Sequence, residues 1–302
     1  MASTTSFASY RPSGRFSPLA FALFAAAIVA AAAAAWLYQS LMTWIPYIYV
    51  NFILCAGFGA GLGVAGAFAV RRGHCRNRIL ALVLAVPLAA AGIGASYYWA
   101  YRSTLSALAD KNPETPIEAI RDEVTFERWV DARKEAGWTM TSSHSTPSRR
   151  NSPDISGAGV FVIWVIEALM LLGITLLLVD TEAAKPYCER CGTWCTQKPL
   201  TLGGLGREDV EHATQLGDLM PLVDIQLRSD GDPAKSIVLT GNLCDGCSDT
   251  AFLSVDERTT TQKKKQTAVK TVHLLKHAIL TQPQRAAFVQ RYNFAVGQKL
   301  AS

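Results

Sequence analysis

Four apolar, almost uncharged runs constrain this chain more than any other feature: residues 18–38, 46–70, 79–101 and 158–179. Each approaches or exceeds the roughly 20 residues that a helix needs to cross a bilayer core. Charge is displaced into the remainder, so that 50% of residues are hydrophobic and only 18% charged over the whole. Such bunching excludes a single soluble globule and a disordered chain. Seven Cys are too few for a disulfide-dense scaffold, and a net charge of +5 is too mild to imply nucleic acid. Arg11 and Arg15 precede the Ala-rich first run as they would in a signal peptide. That run is longer than a signal core and leads straight into a second span, so an uncleaved anchor is expected.

The short loops set the orientation. Arg71, Arg72, Arg76 and Arg78 lie between spans two and three with no acid, Arg11 and Arg15 flank the first span, and 39–45 carries no charge. This places the N-terminus (1–17) and the Arg-rich loop in the cytoplasm, and four crossings bring 180–302 back there. Trp36, Tyr38, Trp44, Tyr47 and Tyr49, with Tyr97, Tyr98, Trp99 and Tyr101, form an aromatic belt at the outer interface. Residues 102–157 are then extracytoplasmic. Thr115-Pro116-Ile117-Glu118 predicts a helix over 116–136 with Thr115 as N-cap, ending at Gly137. Its two apolar sets, Ile117/Ile120/Val124 and Phe126/Trp129/Val130, point to opposite faces and require a two-sided or broken helix. Thr139 to Pro153 reads as a flexible connection.

Cysteine spacing carries the sharpest chemical signal. Cys188-Glu189-Arg190-Cys191 and Cys244-Asp245-Gly246-Cys247 are two C-x2-C pairs, both in the cytoplasmic tail. Each pair lets two thiolates point inward from one turn, and two such turns supply the four sulfurs of a structural zinc site. A reducing compartment keeps those thiols available for metal. The 52 residues between the pairs exceed the compact four-Cys spacing of about 15–20. Within them, Gly203 to Met220 predicts a short helix, and Leu222–Leu227 and Ser236–Thr240 predict strands. Cys195 is a fifth thiol that complicates ligand assignment. Cys55 reads as a packed small hydrophobe, and Cys75 lies in the Arg-rich loop. His273 and His277 lie four apart, but Ala268 to Leu280 reads as a strand, which argues against a paired-His site. Lys263-Lys264-Lys265 reads as a turn between strands.

The segment Pro46-Tyr47-Ile48-Tyr49-Val50-Asn51-Phe52-Ile53-Leu54, the glycines after it, Arg76-Asn77 and Trp164-Val165-Ile166-Glu167-Ala168 resemble patterns in uncharacterised bacterial four-span inner-membrane proteins with a Cys-containing cytoplasmic tail. The resemblance covers most of the chain and implies a bacterial inner membrane, but no activity. The fold class expected is therefore an α-helical membrane bundle of four transmembrane helices plus a small α+β cytoplasmic zinc-ribbon-like domain.

Gly57, Gly59, Gly61, Gly63 and Gly66 crowd one half of span two. A dinucleotide fingerprint needs a βαβ context that is missing, so these glycines read as close helix packing, with span one and Ala90/Gly94 of span three as facing surfaces. No Walker lysine motif, H-E-x-x-H pair or G-x-S-x-G elbow occurs. Glu167 is the only charged residue well inside a span, roughly 13 Å deep at 1.5 Å per residue. A carboxylate there costs on the order of 2.5–3.5 kcal/mol and should face the bundle, with Asn51, Ser96 and Tyr97 as candidate partners. Two function classes follow. One is a membrane-anchored interaction protein whose zinc-stabilised tail binds a protein partner, nucleic acid being less expected. The other is a transporter or channel component using Glu167, which would require a homo-oligomer to form a pathway. A thiol-redox role for Cys188, Cys191 or Cys195 is a weaker third, because it needs an exposed reactive thiolate.

Overall fold

The computed structural model describes residues 7–45, 48–139, 154–155, 157–203, 206–224, 235–263 and 266–301. The chain divides into two compact units, Gly14–Ala184 and a second that joins the N-terminal segment up to Ser13 to the chain from Lys185 onward.

The first unit contains α1 (Leu19–Trp44), α2 (Ile48–Arg72), α3 (Arg78–Lys111), the short helices α4 (Ile117–Glu123) and α5 (Phe126–Ala136), the two-residue strands β1 (Trp138–Thr139) and β2 (Asp154–Ile155), and α6 (Ala158–Ala183). Among the described residues α1, α2, α3 and α6 are long and apolar enough to cross a membrane, which suggests a multi-pass membrane protein. Asn77 starts α3, its side-chain oxygen accepting from Leu80 N at 3.0 Å. α3 runs ten residues past Tyr101, where the apolar run ends, because Leu105, Leu108 and Ala109 continue its helical spacing under the cover of α4 and α5.

The glycines of α2 pack chiefly on α6; of the expected contacts with spans one and three, Gly66 alone approaches side chains there, Leu88 of α3 and Phe24 of α1. Gly59 approaches the Leu171 backbone of α6, and Gly63 lies against Leu178. Thr175 strengthens this contact: its hydroxyl donates to Leu171 O at 2.8 Å and lies 3.2 Å from Gly59 O. Gly57, Gly61 and Gly94 face open space, and Ala90 is exposed. In α3 it is Gly92 that approaches α2, against Leu62. Only the subset of glycines turned toward α6 is needed for packing, and a four-residue spacing alone does not say which subset that is. At one end of this bundle Arg78 forms a bidentate pair with Asp180, and Arg71 lies 3.9 Å from Glu182.

The helix over 116–136 is broken at Val124–Thr125. Pro116 adopts an extended ψ of 141°, so α4 begins at Ile117 without a side-chain cap, and Thr115 is not the N-cap. Thr125 caps α5 instead. The break turns Ile120 and Val124 of one set and Trp129 and Val130 of the other onto α3. Ile120 and Trp129 pack around Tyr101, whose hydroxyl donates to Val124 O at 2.8 Å, and Trp129 Nε1 donates to Thr104. Residues 140–153 of the connection and Pro46–Tyr47 lie outside the described residues.

The second unit begins with a small hairpin, β3 (Tyr187–Cys188) and β4 (Thr193–Trp194). It continues with β5 (Thr196–Gly203), α7 (Arg207–Leu216), α8 (Met220–Asp224), β6 (Lys235–Leu243), β7 (Ala251–Lys263), β8 (Gln266–Ile279) and α9 (Gln282–Ala301). The four longer strands form an antiparallel sheet in the order β5-β6-β7-β8. Alternate positions such as Ile237, Leu239, Leu253 and Val255 bury one face against Val210, Leu222 and Phe288 of the helices and Leu219 of the α7–α8 connection. Gly241 is required where Phe288 crosses the sheet, since a Cβ there would lie 2.3 Å from its ring. Within the strand expected at Leu222–Leu227, Leu222 to Asp224 form the end of α8, Leu222 and Val223 packing as adjacent helical residues into this core. Residues 225–227, like Lys264 and Lys265 between β7 and β8, lie outside the described residues.

Part of the N-terminal segment joins the sheet. Ser9 bridges Ala278, Tyr10 N donates to His277 O and Ile279 N donates to Ala8 O, both at 2.9 Å. This short stretch pairs with the free edge of β8, a site that would otherwise present unpaired backbone groups.

The glycine geometry predicts opposite outcomes for two substitutions in α2. A Cβ at Gly66 would meet Val179 at 2.6 Å and Leu88 at 3.3 Å, whereas Gly61 has nothing within 4 Å. In thermal unfolding of the detergent-solubilised protein, Gly66→Ala should destabilise by about 1–3 kcal/mol through overpacking. Gly61→Ala should be neutral or stabilising, since Ala favours the helix.

Candidate metal centre

Two turns build the centre. In the first, β3 enters Cys188-Glu189-Arg190-Cys191-Gly192 and β4 leaves it. Gly192 N donates to Cys188 O at 2.9 Å, and Gly192 takes a φ of 67°, a left-handed conformation that favours glycine. Tyr187 and Trp194 meet edge to face across the hairpin at 5.1 Å. The second turn links β6 to β7 and is closed by Cys244 N donating to Thr250 O at 3.1 Å. A side chain at Gly246 would meet Cys191 Sγ at 3.2 Å, so glycine here lets the two turns come together.

They do come together. The sulfurs of Cys188, Cys191, Cys244 and Cys247 all lie within 4.8 Å of one another, a group that could hold a metal ion. Cys188 and Cys247 sulfurs are 3.7 Å apart. That is far beyond a disulfide bond of about 2.05 Å. It matches the edge of about 3.8 Å that tetrahedral geometry gives for metal–sulfur bonds of about 2.3 Å. Cys188 and Cys244 are buried, while Cys191 and Cys247 are half-buried. The 52-residue insert does not separate the turns, because the β5–β6 pairing brings Thr196 opposite Leu243 and so sets each pair at the same end of the sheet.

The electrostatics suit bound cations. Backbone N–H groups of Asp249 and Thr250 aimed at Cys247 pull its thiol down to about 6. Cys188 also falls below the usual thiol value: desolvation pushes it up, but bonds from the Thr250 hydroxyl and the Cys191 backbone outweigh that. Cys191, facing the sulfurs of Cys247 and Cys244, is pushed up to about 12. A divalent ion removes this crowding by replacing shared protons. Around the sulfurs, Arg190 pairs with Asp249 to tie the two turns, Gln282 donates to Asp249 at 3.1 Å, and Arg285 donates to Cys247 O at 3.3 Å. These supporting residues from α9 carry no sequence signature linking them to the cysteines.

Cys195 is buried beside Cys188 and Cys244 but stands outside the four-sulfur group, and burial pushes its thiol up to about 12. His273 bonds Asp256 and His277 bonds Ser254, so the two histidines of β8 do not share a site. Glu167, in the other unit, faces the bundle and borders a small cavity with Ser96 and Tyr97, two of its expected partners. The third, Asn51, is buried elsewhere, its Oδ1 without a partner among the described residues. The helical phase of α2 turns Cys55, four residues on, toward Glu167 instead. Arg133 of α5 also lines that cavity. It was not foreseeable as a neighbour, since it comes from outside the apolar runs.

Comparison with known protein families, with curated proteins and with solved structures finds no match to this chain.

The geometry predicts one metal ion per chain in the purified full-length protein, measured by elemental analysis. Replacement of any of Cys188, Cys191, Cys244 or Cys247 by Ser should abolish stoichiometric binding. Cys195→Ser should retain it. A Cys195→Ser protein that loses the ion while Cys247→Ser keeps it would reverse the assignment.

Proposed function

We propose that this chain is a non-enzymatic, multi-pass protein of a bacterial inner membrane whose cytoplasmic tail is a zinc-stabilised, zinc-ribbon-like docking module for a protein partner. The single observation that carries this reading is the four-sulfur group. Four protein thiolates complete tetrahedral coordination and leave no position for a substrate or an activated water, the pattern of structural rather than catalytic zinc. The all-thiolate tetrahedral donor set suits zinc or iron, and the two C-x2-C pairs are of the kind that bind structural zinc.

A cytoplasmic placement of both termini is supported by two independent features. The Arg-rich ends of the apolar helices obey the positive-inside bias. The pairing of Ser9 and Tyr10 with β8 supports the N-terminal segment and the tail sharing one side. Reporter fusions at Ser302 and within residues 140–153 should register opposite sides of the membrane. Both on one side would refute the four-span arrangement.

Docking is tested by crosslinking and capture from intact membranes of the source cell, comparing the full chain with Cys247→Ser. A partner recovered with the full chain and lost with the variant supports the module reading. Equal recovery from both would remove the metal-stabilised tail from the interaction.

A further inference from the structure

The membrane-spanning unit contains a chemical group that a docking module does not use. Glu167 lies in the first half of α6, half-buried. Its backbone carbonyl accepts from the Cys55 thiol at 3.5 Å, while its carboxylate has no hydrogen bond or ion pair among the described residues. The carboxylate instead borders a cavity of about 60 Å³. Liquid water occupies about 30 Å³ per molecule, so this space admits one or two waters. It is far smaller than the roughly 300 Å³ at which sites for small organic molecules begin.

The titratable and charged groups that face this space are Tyr38 from α1, Cys55 from α2, Tyr97 from α3, Arg133 from α5 and Glu167 itself from α6. Ser96 adds a hydroxyl oxygen, its proton donated to Ile93 O at 2.7 Å. The set is poor for a metal cation. It offers one carboxylate where hard cations take six or more oxygens, and a guanidinium, held over the Trp129 ring at 5.6 Å, stands in the same lining. It is suited to a proton. A lone acid, phenols that both donate and accept, a serine oxygen that accepts, and room for water are the components of a short relay, and an ionisable residue at membrane depth is otherwise too costly to keep unpaired.

We propose that Glu167 is a proton-binding site, taking up and releasing its proton to water held in this cavity beneath α5. The proton moves between the carboxyl oxygen and water with no other reactant. The site stands on the geometry of the helical unit alone and does not depend on the metal module.

Infrared difference spectroscopy on the full-length protein in lipid membranes tests it directly. Stepping the buffer from alkaline to acid should produce the C=O band of a protonated carboxylic acid. That band should shift in D2O and be absent from Glu167→Gln. Should Glu167→Gln fail to assemble, Glu167→Asp carrying 13C-labelled glutamate serves instead, and the band should persist but lose its isotope shift. A band unchanged by these substitutions, or no carboxylic band at any pH, overturns the proposal. A band that responds to sodium replacing choline at constant pH also overturns it, since the ligand would then be a metal cation.

Discussion

The close approach of α2 to α6 is the contact on which the helical unit depends. In hydrocarbon no water competes for apolar surface, so helices associate through packing and interhelical hydrogen bonds. Gly59 and Gly63 remove the side chains that would hold the two axes apart, and Thr175 adds a hydroxyl contact across the gap. Once α6 is seated there, Gly66 admits Val179, Leu88 and Phe24 at one point, and four helices converge. The same seating turns Glu167 inward toward Tyr38, Cys55 and Tyr97. The acid's environment is thus a consequence of glycines placed up to a full helix turn or more away from it.

The second unit solves a different problem. Its sheet is a simple meander with helices on one face, and the hairpin β3–β4 is too short to hold itself together. The four sulfurs gather there because antiparallel pairing of β5 with β6 delivers both turns to the same end of the sheet. Arg190 with Asp249, and Gln282 and Arg285 from α9, then brace the turns from outside. The four-sulfur group and the hydrophobic core are therefore linked through α9, whose Phe288 is buried in that core while its first turn reaches the cysteine turns. Loss of one of the four cysteines should be felt throughout this unit for that reason.

The run lengths, the absence of charge and the C-x2-C spacing determined a great deal without coordinates: four long apolar helices, a strand-rich tail and four of seven cysteines set apart from the rest. These are legible because they are local. Hydropathy over 20 residues and two thiols on one turn need no knowledge of what lies across the fold. Tertiary structure alone decided which glycines pack and against which helix, why Asn51 does not reach Glu167 while Cys55 does, and that Leu222 closes a helix rather than opening a strand. It also decided that Ser9 and Tyr10 complete the edge of β8, and that Arg133 and Trp129 of a broken helix cover the cavity beside Glu167. Each of these depends on the phase and partner of an element whose own sequence is compatible with several, and a phase is chosen only when two surfaces meet.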